Sequence, residues 1–435
     1  MTATNLYDPL APAYFDHDDA RAERDRTFEI CTNCRICVRL CPSFKDLFAM
    51  IDSRDQEVVN DVDFLTDAEH DQIVDECYQC KLCYVVCPYT PGKEQEWVID
   101  FPRLMLRSLA INQRAGKGSK SARLLARTDL QGKVATALAT IVNRSTDVGV
   151  VRALMERTTG ISKTRLLPTY APVRFSKWLR RRNRERLEAP GAPRGTVAVF
   201  PTCLVEYQDP NIGKALVSVY ERNGVGCELP EGLVCCGMPW LDAGDTKKFE
   251  EHARRNVAAL APLVREGHAV VVPQPTCAYV LRNEYPDFLG TDDARAVAAA
   301  TKDASEYLMA CHREEPLDVN FSAGQTYATI TWQAACHYRA QQIGPKSRDL
   351  MALTGAQVTV IERCSAIDGT WGLRAENVEM ARKIAKPLME TIKNSDADLV
   401  AGDCHLSNTA IREATGKVPS HPLEVLARAY GVTFD

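Results

Sequence analysis

Short apolar runs alternate with helix-period stretches through the second half of the chain. Val197 to Phe200 is a β run leading to Cys203, and a helical pattern follows from Asn211 to Asn223. A strand-like stretch then enters the pair Cys235–Cys236. A further helix is predicted from Phe249 to Arg265, and "AVVVPQPTC" has the composition of a buried strand ending at Cys277. Strands alternating with helices predict an α/β layer with a mostly parallel sheet. The plan then repeats: "YATITWQAACH" brings a strand to Cys336, "KSRDLMALTGAQVTVIERCSAIDGTWG" supplies helix, strand and Cys364, and "DADLVAGDCH" carries a strand to Cys404. Segment order, strand-to-cysteine spacing and glycine placement match, which predicts an internal duplication. Each cysteine group falls just past a strand's carboxyl end, where α/β folds place ligands. The N-terminal part is patterned differently. Leu47, Met50 and Ile51 share one helical face, so a helical rather than β-rich unit is expected there.

Composition changes this picture in one respect only. The 435 residues are 45% hydrophobic and 25% charged with net charge −4, which argues against a nucleic-acid binder or a disordered chain. The acidic opening "MTATNLYDPLAPAYFDHDDARAERDR" has no apolar signal region, and no apolar run reaches the ~18 residues that span a bilayer. A cytoplasmic protein is expected, with peripheral attachment to the cytoplasmic face of the membrane left open. The unusual feature is 17 cysteines. In a reducing compartment, metal ligation accounts for them better than disulfides do.

Eight of them form a repeated motif. "CTNCRICVRLCP" (31–42) and "CYQCKLCYVVCP" (77–88) both read C-x2-C-x2-C-x3-C-P, the run of two-cluster bacterial ferredoxins. Three thiolates two residues apart wrap one cubane, and the fourth reaches the other cluster. The expected sets are therefore Cys31, Cys34, Cys37 and Cys87 for one 4Fe–4S cluster, and Cys77, Cys80, Cys83 and Cys41 for a second. Pro42 and Pro88 are expected to stop the local helix after the last ligand. A zinc site is the competing metal reading, but four-cysteine zinc sites usually pair two C-x2-C knuckles.

Between the two cysteine-rich regions lies a basic helical connector. Phe101 to Thr128 contains no acidic residue but carries Arg103, Arg107, Arg114, Lys117, Lys120, Arg123 and Arg127. "VRFSKWLRRRNRER" (173–186) sets a dense positive face beside Phe175, Trp178 and Leu179. Such a helix either lies at a membrane interface or on an acidic partner, or packs its apolar side on neighbouring domains. "LEAPGAPRG" (187–195) reads as a Pro/Gly hinge.

The "VCCGMP" and "CSAIDGTWG" stretches, with "PTC" before and after the first, resemble the CCG (cysteine-rich) domains of heterodisulfide-reductase-type proteins. Two ferredoxin motifs followed by two such domains resemble the C-subunit family of glycerol-3-phosphate dehydrogenase. D-subunit-like proteins of heterodisulfide reductase and glycolate oxidase iron–sulfur proteins are relatives of that family. "TTGISKTRLLPTYAPVRFSKWLRR" (158–181) resembles the family's connector. The likeness starts near residue 25. It implies an iron–sulfur protein passing single electrons from a flavoprotein dehydrogenase partner towards quinone or another acceptor.

Departures from the family motif narrow the chemistry. Cys203, Cys235, Cys236 and Cys277 match the first CCG motif, but Val280 stands at its last cysteine. Cys336, Cys364 and Cys404 match the second, where Ser365 and Ser407 replace two cysteines. The five-thiolate cluster that reduces heterodisulfides therefore lacks ligands in both halves. Four cysteines suffice for a third cubane. Three either hold a fourth cluster with one iron open to solvent, a substrate atom, His337, Asp403, His405 or Ser365, or mark a half that has lost its cluster. Cys227 and Cys311 read as small buried or partly buried residues.

The expected fold class is α + α/β: a helical two-cluster ferredoxin domain followed by a duplicated α/β CCG domain. The expected divisions are an N-terminal tail (1–25), the ferredoxin-type domain (26–110), the connector (111–194), the first CCG domain (195–323) and a degenerate second (324–435). No dinucleotide or phosphate loop is visible, since "GTWG" and "GKGSK" do not fit one, so hydride chemistry is assigned to a partner. The alternatives are a disulfide or peroxide-linked reductase acting at the C-terminal site, and a redox sensor.

Overall fold

A computed structural model describes residues 7–54, 62–93, 97–185 and 191–434. The N-terminal module is built from α1 (His17–Cys34), α2 (Pro42–Asp52), α3 (Asp67–Glu76), α4 (Leu82–Val86) and α5 (Phe101–Arg114). α1 is capped by Asp16, whose carboxylate accepts the Asp18 and Asp19 N–H groups, and α3 begins with a Thr66–Glu69 capping box. Phe28, Phe44, Leu47, Ile51, Ile73 and Leu104 form its core, so the Leu47–Ile51 face turns inward. Residues 7–25 are not a free tail. Tyr14 is buried, and Arg107 donates to the Tyr14 carbonyl at 2.8 Å and pairs with Asp19 at 2.6 Å. Pro42 also differs from expectation. It occupies the first turn of α2, where a missing N–H costs nothing, so it starts a helix instead of stopping one.

The connector continues as α6 (Lys120–Leu125), α7 (Thr128–Ala137), α8 (Ala139–Ser145), α9 (Gly149–Thr159) and α10 (Phe175–Glu185). α5 runs unbroken through positions 110 and 111. On α10, Phe175 and Leu179 are buried in the core beside Val205, Ile212 and Leu216, so its apolar side faces protein and not lipid. Gly213 permits this, because a Cβ there would lie 2.5 Å from the Phe175 ring. The hinge at 187–195 falls partly on 186–190, outside the described residues.

Two parallel sheets follow. β1 (Thr196–Val199), β2 (Gly226–Glu228), β3 (Ala269–Val272) and β4 (Thr301–Asp303) are ordered β2-β1-β3-β4. β5 (Thr329–Gln333), β6 (Gln357–Ile361) and β7 (Leu399–Gly402) are ordered β6-β5-β7. The first strand of each half is central, with the second and third on either side, so the duplication extends to topology. β1 and β3 are buried along almost their whole length, as an all-parallel sheet covered by helices requires. The counterpart of β4 in the second half is reduced to a single parallel bridge between Ser420 and Ala401 of β7. Cys227 on β2 and Cys311 in the helix Ala304–Glu314 pack against the first half's core, away from the other cysteines. Among the described residues no helix is long and apolar enough to cross a membrane.

The helix Pro422–Ala429 locks the two halves together through its cap. His421 Nε2 donates to the Pro273 carbonyl at 2.9 Å, and Nδ1 accepts the Leu423 N–H at 3.2 Å. Burial pushes the His421 pKa down to about 4, offset in part by the bond to Pro273. The unfolded chain therefore binds a proton at pH values where the folded chain does not, and stability contributed by neutral His421 is lost as pH falls from about 6.5 to about 4. The full effect is roughly 3 kcal/mol. His421→Asn keeps a capping oxygen without titrating, so the thermal midpoint of this variant should fall less than that of the wild type between pH 7 and pH 5.

Candidate metal centres

The cysteines sit where the backbone is held in unusual conformations or where helices begin. Six described non-glycine residues have positive φ, and five of them, Arg35, Gln79, Lys81, Thr202 and Ala366, lie within two residues of a motif cysteine. Left-handed backbone costs a non-glycine residue about 1 kcal/mol and persists only where its surroundings enforce it. In the first half the position after the cysteine pair is Gly237, at φ 91°, for which glycine is suited. The matching residue of the second half, Ala366, keeps a positive φ of 50° despite its Cβ. Cys41 and Cys404 are N-caps of α2 and of the helix His405–Thr415. Cys336 is the first residue of a helix, and Cys203 and Cys277 fall in the first turns of theirs. Free N–H groups at helix starts favour an anionic sulfur.

The structure brings the cysteines into four sets. Burial, then the neighbouring Cys37, Cys87 and Cys34 thiolates, push the Cys31 thiol well up. Cys83 is raised by burial and then by Cys80, Cys41 and Cys77, and it also feels Cys37, so these two sets adjoin. Cys41 is pushed up to about 12 by burial and Cys77, although the Phe44 and Ser43 N–H groups favour its thiolate. A small cavity is lined by Cys41, Cys77, Cys80 and Cys83.

In the first CCG half, the Cys203 and Cys235 sulfurs are 3.9 Å apart. Cys235 is held well below the ordinary thiol range by the neighbouring Cys203 and Cys236 thiols, while Cys236 is raised by Cys235 and Cys277. The Cys235 N–H donates to Asp129 Oδ2 at 2.9 Å, and the Tyr207 hydroxyl donates to Asp129 Oδ1 at 3.2 Å. Gly132 allows this arrangement, since a Cβ on it would meet the Tyr207 ring at 2.4 Å. The connector helix α7 thus orders the Cys235 loop.

Cys336, Cys364 and Cys404 form the fourth set. After burial, the groups raising Cys336 are Asp368, Cys80, Cys364 and Cys404. Asp368, the carboxylate of "CSAIDGTWG", is a site residue that sequence reasoning does not single out. Burial and the neighbouring Asp242 push its carboxyl well above the ordinary range. The signal that could have found it is its place four residues after a cysteine whose partner has become serine. The side chains expected at the open iron are committed elsewhere. His337 Nε2 donates to the Gln79 carbonyl at 2.9 Å, and Nδ1 lies 2.9 Å from Thr276 Oγ1. Asp403 accepts from Trp332 Nε1 at 2.6 Å and Ser347 Oγ at 2.5 Å. His405 pairs with Asp209 at 3.4 Å.

Three of the sets adjoin, and the first CCG set shares a cavity with the fourth. Tyr78 OH lies 3.6 Å from the Cys364 sulfur and donates to the Leu40 carbonyl at 3.1 Å. Tyr78, Cys80, Cys336 and Cys364 share one apolar cluster with Trp371. A cavity of about 610 Å³ is lined by Cys203, Cys277, Cys336 and Cys404 on one side and by connector residues such as Leu130, Val134 and Met155 on the other. The donor chemistry fits iron–sulfur clusters: grouped soft thiolates, partly desolvated, with N–H groups aimed at sulfur, such as Ala366 to Cys364 at 3.2 Å.

Comparison with known proteins agrees. The chain matches the family of the 4Fe-4S dicluster domain over residues 30–90 and that of the cysteine-rich domain (CCG) over 197–282 and 330–411. It is 30% identical over 309 residues to the C-subunit of the anaerobic glycerol-3-phosphate dehydrogenase of Escherichia coli (strain K12), covering 70% of this chain and 76% of that protein. It is 28% identical over 219 residues to "Lactate utilization protein A" of Bacillus pumilus, covering 48% and 87%. With the B-subunit of the fumarate reductase (CoM/CoB) of Methanothermobacter marburgensis it shares 26% identity over 248 residues, covering 55% and 47%.

Beside the second set lies a buried charge network. Lys81 Nζ donates to Gln79 Oε1 at 2.8 Å and pairs with Glu284 at 3.2 Å, while Arg103 pairs with Asp287 and lies 3.8 Å from Glu284. Burial opposes the Glu284 charge, but Lys81 and Arg103 outweigh it and hold its pKa down. Glu284→Gln should leave Lys81 buried without its anion and lower stability by about 3 kcal/mol, read as a reduced denaturant midpoint. Adding Lys81→Met to that variant should recover part of the loss.

Proposed function

The chain belongs to the iron–sulfur family that includes the C-subunit of anaerobic glycerol-3-phosphate dehydrogenase, and from that premise we propose that it carries single electrons from a flavoprotein dehydrogenase partner to a lipophilic, quinone-type acceptor. The observation supporting this reading most directly is the succession of three thiol sets, with Cys83 beside Cys37 and Cys80 beside Cys336 and Cys364, and a cavity shared by the fourth set and the first CCG set. Clusters on these thiolates supply one-electron carriers whose potentials follow burial, hydrogen bonds to sulfur and local charge. The protein's share is to hold the sulfurs, exclude water and present two ends.

At the donor end, Ile36, Val38 and Val86 are exposed beside Cys37 and Cys87 and offer an apolar landing for the dehydrogenase. At the acceptor end, Leu124, Leu130 and Val134 both line the large cavity and reach solvent, so the cavity meets the surface along the connector. The same connector exposes Leu138, Ile141, Val150 and Leu154. Between residues 120 and 184 it carries fifteen basic and three acidic residues in a chain of net charge −4. Apolar side chains set among cations suit the anionic cytoplasmic face of a membrane, where a lipophilic acceptor is dissolved. This surface, and not α10, is the membrane contact in our reading.

Two outcomes are expected. Dithionite-reduced chain, prepared without oxygen, is reoxidised by a short-chain quinone, and Cys277→Ser or Cys336→Ser slows that step about tenfold or more while the N-terminal EPR signals persist. Equal rates in wild type and variants would overturn the acceptor end, and colourless protein holding only zinc would overturn the reading altogether. In vesicle sedimentation the chain should bind phosphatidylglycerol-containing but not neutral vesicles, and Ile141→Asp with Leu154→Asp should abolish the binding. Unchanged sedimentation of that variant would move the membrane contact elsewhere.

A further inference from the structure

Ser365 leaves the second CCG half one thiolate short of the first, and the structure places a carboxylate in the gap. A Cys336 sulfur, a His337 nitrogen and an Asp368 oxygen lie within 4.8 Å of one another. Both His337 nitrogens are occupied, since the Gln79 carbonyl can only accept and therefore takes the Nε2 proton, leaving Nδ1 to accept from Thr276. Asp368 differs in this respect. Its carboxylate has no hydrogen bond or ion pair among the described residues, it lines the large cavity beside Cys336, and its charge reaches Cys364 and Cys404 as well as Cys77 and Cys80 of the second set. The Ser365 hydroxyl lines the same cavity, but an aliphatic hydroxyl is a far weaker acid than a carboxyl, and only the carboxyl, once deprotonated on a metal, readily supplies an anion of the same charge as the cysteine it replaces.

A second observation argues that this half has kept a ligand geometry. Ala366 holds a positive φ of 50°, as Gly237 does after the Cys235–Cys236 pair, and its N–H points at the Cys364 sulfur at 3.2 Å. That turn keeps the Ala366 N–H on the Cys364 sulfur although its Cβ disfavours the left-handed region. Two residues beyond that turn, the Asp368 carboxylate lies beside the Cys336 sulfur.

We propose that Asp368 supplies the fourth, non-thiolate ligand of a 4Fe–4S cluster held by Cys336, Cys364 and Cys404. This rests on the reading of the C-terminal cysteines as cluster ligands. An oxygen-ligated iron is held less firmly than its three thiolate-ligated neighbours, so one corner of this cluster is labile and accessible from the cavity.

The test uses the full chain prepared without oxygen, with iron and sulfide analysis and EPR. Brief ferricyanide treatment of the wild type should release about one iron per chain and give a three-iron signal. Asp368→Cys should retain that iron and suppress the signal, and Asp368→Asn should show the three-iron signal without treatment. An Asp368→Asn protein with wild-type iron content and wild-type response to ferricyanide would overturn the assignment. Cys336→Ser separates the two levels. If it removes about four irons while Asp368→Asn changes nothing, only the role of Asp368 fails. If it leaves the iron content unchanged, the cluster reading of this half fails with it.

Discussion

Ionised thiols repel one another, and each loses solvation when it is buried. A chain that turns fifteen cysteines into four facing sets must hold them there against both effects. Here the holding is done by the backbone. Left-handed residues beside Cys34, Cys80, Cys203 and Cys364, and helix starts at Cys41, Cys336 and Cys404, aim sulfurs inward and surround them with N–H donors. The rest of the fold serves this arrangement. The two parallel sheets present their cysteine loops at carboxyl ends, and the N-terminal helices close against them.

Contact between the modules is polar as well as apolar. His337 spans the junction, reaching Gln79 of the N-terminal module on one side and Thr276 of the first CCG half on the other. Lys81, between Cys80 and Cys83 in sequence, is tied to Glu284 of the first half. Buried ions of this kind add little net stability, but they penalise any displacement that would separate them. They therefore suit a site where spacing between neighbouring sets matters more than stability. The family relationship and the grouped thiol sets both bear on electron transfer by an iron–sulfur protein.

The connector illustrates how a feature can be visible while what it meets stays open. Its positive charge is plain in the sequence, and "VRFSKWLRR" has the pattern of an interfacial helix. Yet Phe175 and Leu179 are spent on the core of the first CCG half. The apolar surface that remains free lies earlier, on Leu138, Ile141, Val150 and Leu154, where residues are exposed because the opposite faces of those helices roof the cavity. Periodicity identifies an amphipathic helix but does not say what its apolar face meets.

Cysteine spacing alone announced the two ferredoxin sets, because a C-x2-C-x2-C loop is short enough for geometry to be local. The duplicated strand–helix order announced the paired parallel sheets for the same reason. The fold of residues 7–25 onto α5, the helix-starting role of Pro42 and the closeness of Cys80 to Cys336 were not legible. They depend on packing between segments far apart in the chain. Asp368 belongs with these. It is one carboxylate among 57 acidic residues, and its place four residues after Cys364 does not by itself say which sulfur it meets. Only the folded chain, with a left-handed alanine turning the loop and His337 already engaged, leaves that carboxylate beside the Cys336 sulfur.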